Sequence, residues 1–181
     1  MDCEPENECM QLAAKLIRVP SPNPPGDESA MAHAVEEHLR ASGLSTQRMD
    51  LAPGRPSILG RIPGMRPELG AVVFCAHLDT VAAEEPNWTV EPFAATLREG
   101  RIYGRGASDM KTGLACLLLL ARDLASQAPP QHDLIFAFTA DEEGGYGGAA
   151  SLRAAGLLDP ARLLVITEPT DGAIYTGQKG E

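Results

Sequence analysis

Three short apolar runs, Ala71–Ala76, Leu134–Thr139 and Leu163–Thr167, constrain this chain more than any other feature. Each is continuous rather than alternating, which is the pattern of a strand covered on both faces. A strongly apolar helical stretch, Met110 to Ser126, lies between the first two runs, and a shorter one around Gly148–Ala155 separates the last two. Strand–helix–strand alternation with buried strands predicts an α/β fold, a mostly parallel sheet flanked by helices. The other segments fit one such unit. Cys9, Met10, Leu12, Ala13, Leu16 and Ile17 form a helical stripe within Glu6–Val19, and Pro20-Ser-Pro-Asn-Pro-Pro-Gly stops it. Asp27 or Ser29 can cap a second helix that runs to about Ser42, with Gly43 ending it. Strands are predicted at Ser45–Met49 and Ser57–Ile62, a hairpin over Ala94–Tyr103, and the start of a further strand from Gly172 onward.

Composition narrows the function. A formal charge of −10 argues against a nucleic-acid partner, which needs clustered Lys and Arg. The first residues, Met1-Asp-Cys-Glu-Pro-Glu-Asn-Glu, are acidic where a secretory signal is basic. The longest apolar run, Leu114–Ala121, is too short to cross a bilayer. A cytoplasmic protein without a membrane partner is therefore expected. Cys3, Cys9, Cys75 and Cys116 form no CxxC pair, and two of them fall in apolar segments, so they read as buried free thiols.

The polar residues that follow the apolar runs carry the chemistry. His77 and Asp79 follow the first run, Asp141, Glu142 and Glu143 the second, and Glu168 the third, while Asp109 opens the apolar helix. Ligands of parallel sheets bind beyond the carboxyl ends of the strands, so these residues share one edge. Neutral imidazole and carboxylate oxygen suit zinc or a similar divalent ion. His77 needs an acceptor on its other ring nitrogen, and Asp79 is placed to supply one. Glu142 and Glu143 diverge as neighbours, so one can bind metal while the other moves a proton. Each residue has an ordinary explanation alone: a helix cap for Asp109, a solvated turn for the glutamates. Their convergence on one edge points instead to a two-metal hydrolase site. Gly145-Tyr-Gly-Gly-Ala-Ala matches a dinucleotide fingerprint, but three carboxylates directly before it would repel a pyrophosphate. The glycines fit better as a sharp turn beneath the site.

At this point a family resemblance emerges. Ser21-Pro-Asn-Pro-Pro-Gly-Asp-Glu, Ala76-His-Leu-Asp-Thr-Val, Trp88 with Pro92-Phe93, Tyr103-Gly-Arg-Gly-Ala-Ser-Asp-Met-Lys-Thr-Gly, Thr139-Ala-Asp-Glu-Glu and Glu168-Pro-Thr occur in that order. Together they resemble the M20 family of co-catalytic zinc peptidases and amidohydrolases, which includes acetylornithine deacetylase, succinyl-diaminopimelate desuccinylase, aminoacylase-1 and glutamate-releasing carboxypeptidases. The resemblance implies a site for two Zn2+ ions, with Co2+ or Mn2+ as alternatives. His77 and Glu168 would bind one ion and Glu143 the other, with Asp109 bridging. Asp79 would orient His77, and Glu142 would be the general base acting on a metal-activated water. Asp109-Met110 matches the position of a non-proline cis peptide, and Glu rather than Asp at 168 favours deacylation of an N-acyl amino acid over aminopeptidase action. A small N-acyl amino acid or peptide is the substrate implied.

Ala76 and Ala82 depart from the common glycine and proline without touching a ligand. Similar proteins continue after a Lys-Gly like Lys179-Gly180 into a lid or dimerisation domain, then return with a last histidine ligand. Residues 1–181 are accordingly expected to be the N-terminal portion of a zinc-peptidase-like catalytic domain, incomplete without the lid and the return segment. His33, His38 and His132 are poorly placed to replace that histidine. A second expectation stands beside the hydrolase: a truncated member that binds metal or a partner chain, or pairs as a homodimer once the remaining part is supplied.

Overall fold

The computed structural model describes residues 8–84 and 88–177, so Cys3 and Lys179-Gly180 lie outside the described residues. The elements are α1 (Glu8–Ile17), α2 (Ser29–Ala41), β1 (Ser45–Asp50), β2 (Pro56–Ile62), β3 (Ala71–His77), β4 (Thr96–Arg98), β5 (Arg101–Tyr103), α3 (Thr112–Ala125), β6 (Asp133–Thr139), α4 (Gly147–Ala154) and β7 (Ala161–Ile166). Five strands form one sheet in the order β1-β2-β6-β3-β7, and β4-β5 is a separate hairpin. The expected α/β sheet between helices is present. Its pairing is mixed: β3 runs parallel to β6 and β7, whereas β2 is antiparallel to both β1 and β6. No helix separates β1 from β2, and parallel neighbours require a long crossover, so that pair is antiparallel.

The continuous apolar runs follow from burial on two sides. Alternate residues of β6 serve different layers, and all of its residues are buried. Phe136 and Phe138 pack with Leu16, Met31, Leu39, Leu114 and Leu118 against α1, α2 and α3. Ile135 and Ala137 pack with Leu59, Val73 and Leu152 on the α4 side. Burying one such large side chain contributes about 1.5–3 kcal/mol. Phe74 also stacks on Phe136, with ring centroids 5.1 Å apart.

Several local expectations need correction. β7 is not a buried strand: Leu163, Leu164 and Ile166 are each about half exposed, because the described residues leave this edge strand uncovered. No strand forms over the described residues 172–177, where Ile174 and Tyr175 are exposed. Cys116 is exposed rather than buried, since the buried stripe of α3 runs through Leu114, Ala115, Leu117, Leu118 and Ala121. Its Sγ lies 3.3 Å from that of Cys9 on α1. Asp27 accepts the Ser29 N–H at 3.0 Å, although the residue bounding α2 is Glu28. Gly43 ends that helix with φ of 84°. No helix among the described residues is long and apolar enough to cross a membrane.

Asp109 does not lie in the first turn of α3. The helix begins at Thr112, and Asp109 (φ −119°, ψ 99°) and Met110 (φ −131°, ψ 34°) are non-helical. The Asp109–Met110 peptide is cis, at the position the family resemblance indicated.

Candidate metal centre

β3 delivers His77 to the carboxyl edge of the sheet, where the ring is almost wholly buried. Its Nδ1 lies 2.9 Å from the Asp79 carbonyl oxygen, and the Asp79 carboxylate stands farther off at 3.6 Å. The acceptor is thus the residue expected, but principally through its main chain. A carbonyl only accepts, so Nδ1 donates and Nε2 faces the opposite way. There it meets Asp109 Oδ1 at 3.0 Å, Glu168 Oε1 at 3.8 Å and Glu142 Oε2 at 3.9 Å. The loop carrying Asp109 is held to β3 through the His77 N–H, which donates to Met110 Sδ at 3.1 Å.

Two groups of donor atoms result. His77, Asp109 and Glu168 form one, and His77, Glu142 and Glu143 the other, with the atoms of each group within 4.8 Å of one another. His77, Asp109, Glu142, Glu143 and Glu168 are therefore brought together by the ends of β3, β6 and β7 and by the turn before α3. His33, His38 and His132 belong to neither group. His33 instead faces Glu37 on the exposed side of α2 at 3.5 Å.

The electrostatics reflect how closely the acids crowd the imidazole. Burial opposes a charge on His77, yet hydrogen bonds to Asp79 and Asp109 and the charge of Glu168 outweigh it and raise its pKa to about 9. Desolvation, partly offset by His77, combines with neighbouring Asp109 and Glu142 to push Glu168 up to about 7. Glu142 is also raised, first by burial and then by the surrounding carboxylates despite the attraction of His77. The crowded acceptors thus favour bound protons at His77 and Glu168. A buried imidazole with clustered carboxylate oxygens is the donor set of a borderline or hard divalent cation, so these residues fit one.

Asp79 behaves differently. Against the cost of burial, His77, Asn23 and the backbone N–H groups of Glu142 and Glu143 hold its pKa down at about 2. Asn23 Nδ2 donates to its carboxylate at 2.9 Å, the Glu142 N–H at 3.1 Å and the Glu143 N–H at 3.0 Å. Asp79 therefore ties the β6 turn to the end of β3, a task the sequence reading did not give it.

Asn23 was missed altogether as a site residue. It is placed by a strand-like zip between the proline-rich loop and the residues after β3. Asn23 N–H donates to Thr80 O at 2.8 Å, Thr80 N–H to Ser21 O at 2.9 Å and Ser21 Oγ to Leu78 O at 2.7 Å. Asn, Ser and Glu set among rigid prolines and a glycine were the available signal. The glycines after β6 serve the turn: a Cβ on Gly144 would stand within 2.5 Å of an Asp141 carboxylate oxygen.

Comparison with known proteins agrees with this architecture. The sequence profile of peptidase family M20/M25/M40 matches residues 73–177. A probable succinyl-diaminopimelate desuccinylase of Staphylococcus aureus (strain Mu50 / ATCC 700699) is 32% identical over 177 residues, covering 97% of this chain and 43% of the relative. A succinyl-diaminopimelate desuccinylase of Xanthobacter autotrophicus is 37% identical over 139 residues, 75% of this chain and 35% of its own length. Among solved structures, an M20 family metallo-carboxypeptidase, Sso-CP2, from Sulfolobus solfataricus superposes with a TM-score of 0.75 at 20% identity, over 89% of this chain and 37% of that one. Human carnosine dipeptidase 1 gives 0.72 at 22%, over 89% and 38%. The chain thus spans less than half the length of the relatives it matches.

Proposed function

Because the chain belongs to peptidase family M20/M25/M40, we propose that it carries most of a two-cation site for hydrolysing an amide bond in a small N-acyl amino acid or peptide. Residues 1–181 are read as the N-terminal portion of the catalytic domain. One observation carries the proposal: the atoms of His77, Asp109 and Glu168, and of His77, Glu142 and Glu143, each lie within 4.8 Å of one another. His77 and Glu168 would hold one cation and Glu143 the other, with Asp109 between them. Zinc is the ion implied by family, with cobalt or manganese as alternatives. Once bound, the cation pair supplies Lewis acidity to a substrate carbonyl and makes a water molecule more acidic.

This chain's own residues do the rest. Asp79 accepts from His77 Nδ1 through its carbonyl, so that Nε2, once its proton is displaced, would offer its lone pair to the cation. Glu142 is partly exposed to the cleft and its pKa is raised by burial, which brings the carboxylate closer to neutrality as a base. It would take a proton from the attacking water and pass it to the departing amine nitrogen. Glu at position 168 and the desuccinylase relatives favour an acyl group as the part cleaved off. A cytoplasmic setting accords with the three described cysteines being free thiols.

The test is metal content and turnover of the purified chain with N-acetyl and N-succinyl amino acids. Glu142→Ala should remove turnover and leave bound metal unchanged. Turnover that survives the substitution would refute the role of Glu142, and a wild-type chain that takes up no divalent cation would refute the site. A second reading is favoured by half-exposed Leu163, Leu164 and Ile166 along β7. Here the chain holds metal without turning over and docks further polypeptide on that edge. Metal uptake without hydrolysis, restored by adding the remaining domain in trans, would identify that case.

A further inference from the structure

We infer that Asp141 is a positioning residue, whose carboxylate, clamped between Arg55 and Asn23, sets the direction in which Glu142 and Glu143 enter the candidate metal centre. The inference rests on the roles proposed for those two glutamates. Three consecutive acids follow β6 one residue beyond its end, and their residue types alone do not divide the work among them. The structure does. Glu142 and Glu143 join a donor group with His77, and Asp141 joins neither group.

Both oxygens of Asp141 are already engaged. Oδ1 accepts from Arg55 Nη2 at 2.9 Å and from Asn23 Nδ2 at 3.0 Å, and Oδ2 accepts the Gly147 N–H at 3.3 Å. Arg55 is held from behind by Glu28, whose side chain is fully buried and accepts from Nη2 at 2.7 Å and from Nε at 2.9 Å. Glu28 Oε1 also receives the Asp141 N–H at 3.3 Å. One guanidinium and one buried carboxylate therefore grip the side chain and the main chain of the same residue. Arg55 presents its donors in a rigid fork, so the grip is directional as well as charged.

This grip matters because Asp141 sits at φ 61°, in the left-handed region that a side chain rarely adopts without support. The backbone reverses there, and the next two N–H groups reach the Asp79 carboxylate. Asn23 Nδ2 contacts Asp79 and Asp141 together, so the two carboxylates that anchor the turn share a donor. Loosening Asp141 would free the turn at its first residue and let both glutamates swing relative to His77.

The experiment uses this chain, metal-free and loaded with Co2+. Three variants are compared with wild type: Asp141→Ala, Asp141→Asn and Arg55→Lys. Co2+ affinity is measured by calorimetry, the ligand field by visible absorption, and amide exchange of residues 141–147 without metal. Asp141→Ala is expected to weaken Co2+ at least tenfold, change the d–d bands and speed exchange at Glu142 and Glu143. Asp141→Asn should restore most of the affinity and the spectrum, because its amide oxygen still accepts from Arg55 and Asn23. Should Asp141→Ala fail to fold, Arg55→Lys carries the test, with altered bands and faster exchange expected. Wild-type bands and affinity in the folded variants, with only a lower melting temperature, would overturn the inference and leave Asp141 merely structural. A wild-type chain that binds no Co2+ would sink the function proposed above. In that event unchanged exchange at Glu142 and Glu143 in the variants would overturn the inference too, and faster exchange would sustain it.

Discussion

Raising the pH from 6 to 9 should remove roughly 3 kcal/mol of stability that His77 supplies to the metal-free protein, because each pKa unit is worth about 1.4 kcal/mol. Its pKa rises from 6.5 to about 9 on folding, and the ring is almost wholly buried, so little of the effect is lost to solvent screening. A folded-state pKa above the unfolded value means the stability is fully present below about 6.5 and is lost as the pH climbs through about 9. Lys111 works in the opposite sense. Burial drops its pKa from 10.5 to about 7, so its penalty is present below about 7 and is relieved as the pH rises. The raw pH profile of the wild type is therefore uninformative, because Lys111 opposes His77 while Glu168, pushed up to about 7, loses stability in the same direction as His77. The informative quantity is the difference between wild type and His77→Gln, in which Lys111 cancels and Glu168, whose pKa His77 itself lowers, cancels in part. Urea unfolding of both EDTA-treated proteins at pH 6, 7.5 and 9 should show that difference shrinking by roughly 3 kcal/mol. Saturating Co2+ should make the stability of the wild type rise with pH, since a cation competes with the proton for Nε2. A pH-independent difference between the two metal-free proteins would refute the idea that His77 holds a proton among these acids.

Other substitutions probe the remaining parts. Glu168→Gln removes a carboxylate 3.8 Å from His77 Nε2, and should weaken Co2+ binding by about 10–100-fold while lowering the His77 pKa, read by calorimetry and by proton NMR of the ring. Phe136→Ala empties a site with no solvent exposure at the centre of the sheet, and should cost about 3–5 kcal/mol in urea unfolding. Lys111→Met removes a buried ammonium whose Nζ has the Val19 carbonyl as a partner at 2.7 Å. Near pH 6 the apolar replacement should leave the melting temperature unchanged or raise it, and a large drop would show that the Val19 bond outweighs desolvation.

Particular elements show why some of this molecule is legible in its sequence and some is not. β3 and β6 announce themselves because cover on both faces removes the polar residues from a strand altogether. The residue after such a strand then lies at the sheet edge by topology alone, which is why His77, Glu142, Glu143 and Glu168 could be placed together without knowing a single side-chain rotamer. β7 shows the limit of that logic: Leu163, Leu164 and Ile166 have the same apolar signature but are half exposed here, since a sequence pattern states what a strand requires and not what lies against it. Asp109 was drawn into α3 because the apolar pattern begins at Met110, whereas the non-helical backbone at both residues has no signature in hydropathy.

Asn23, Glu28, Arg55 and the second role of Asp79 were beyond reach for a different reason. Their partners lie far away along the chain: Asn23 and Asp141 are separated by 118 positions and Arg55 and Asp141 by 86, so no local period links them. They become visible only when the proline-rich loop is zipped alongside Leu78–Thr80 and the β1–β2 turn is folded over the end of β6. Groups that face the proposed reaction can thus be located by topology, whereas the groups that aim them depend on tertiary structure. It follows that a homologue could keep every residue of the two donor groups and still lose metal affinity through a change at the position of Arg55 or Asn23, since the turn carrying the two glutamates is anchored from outside the site.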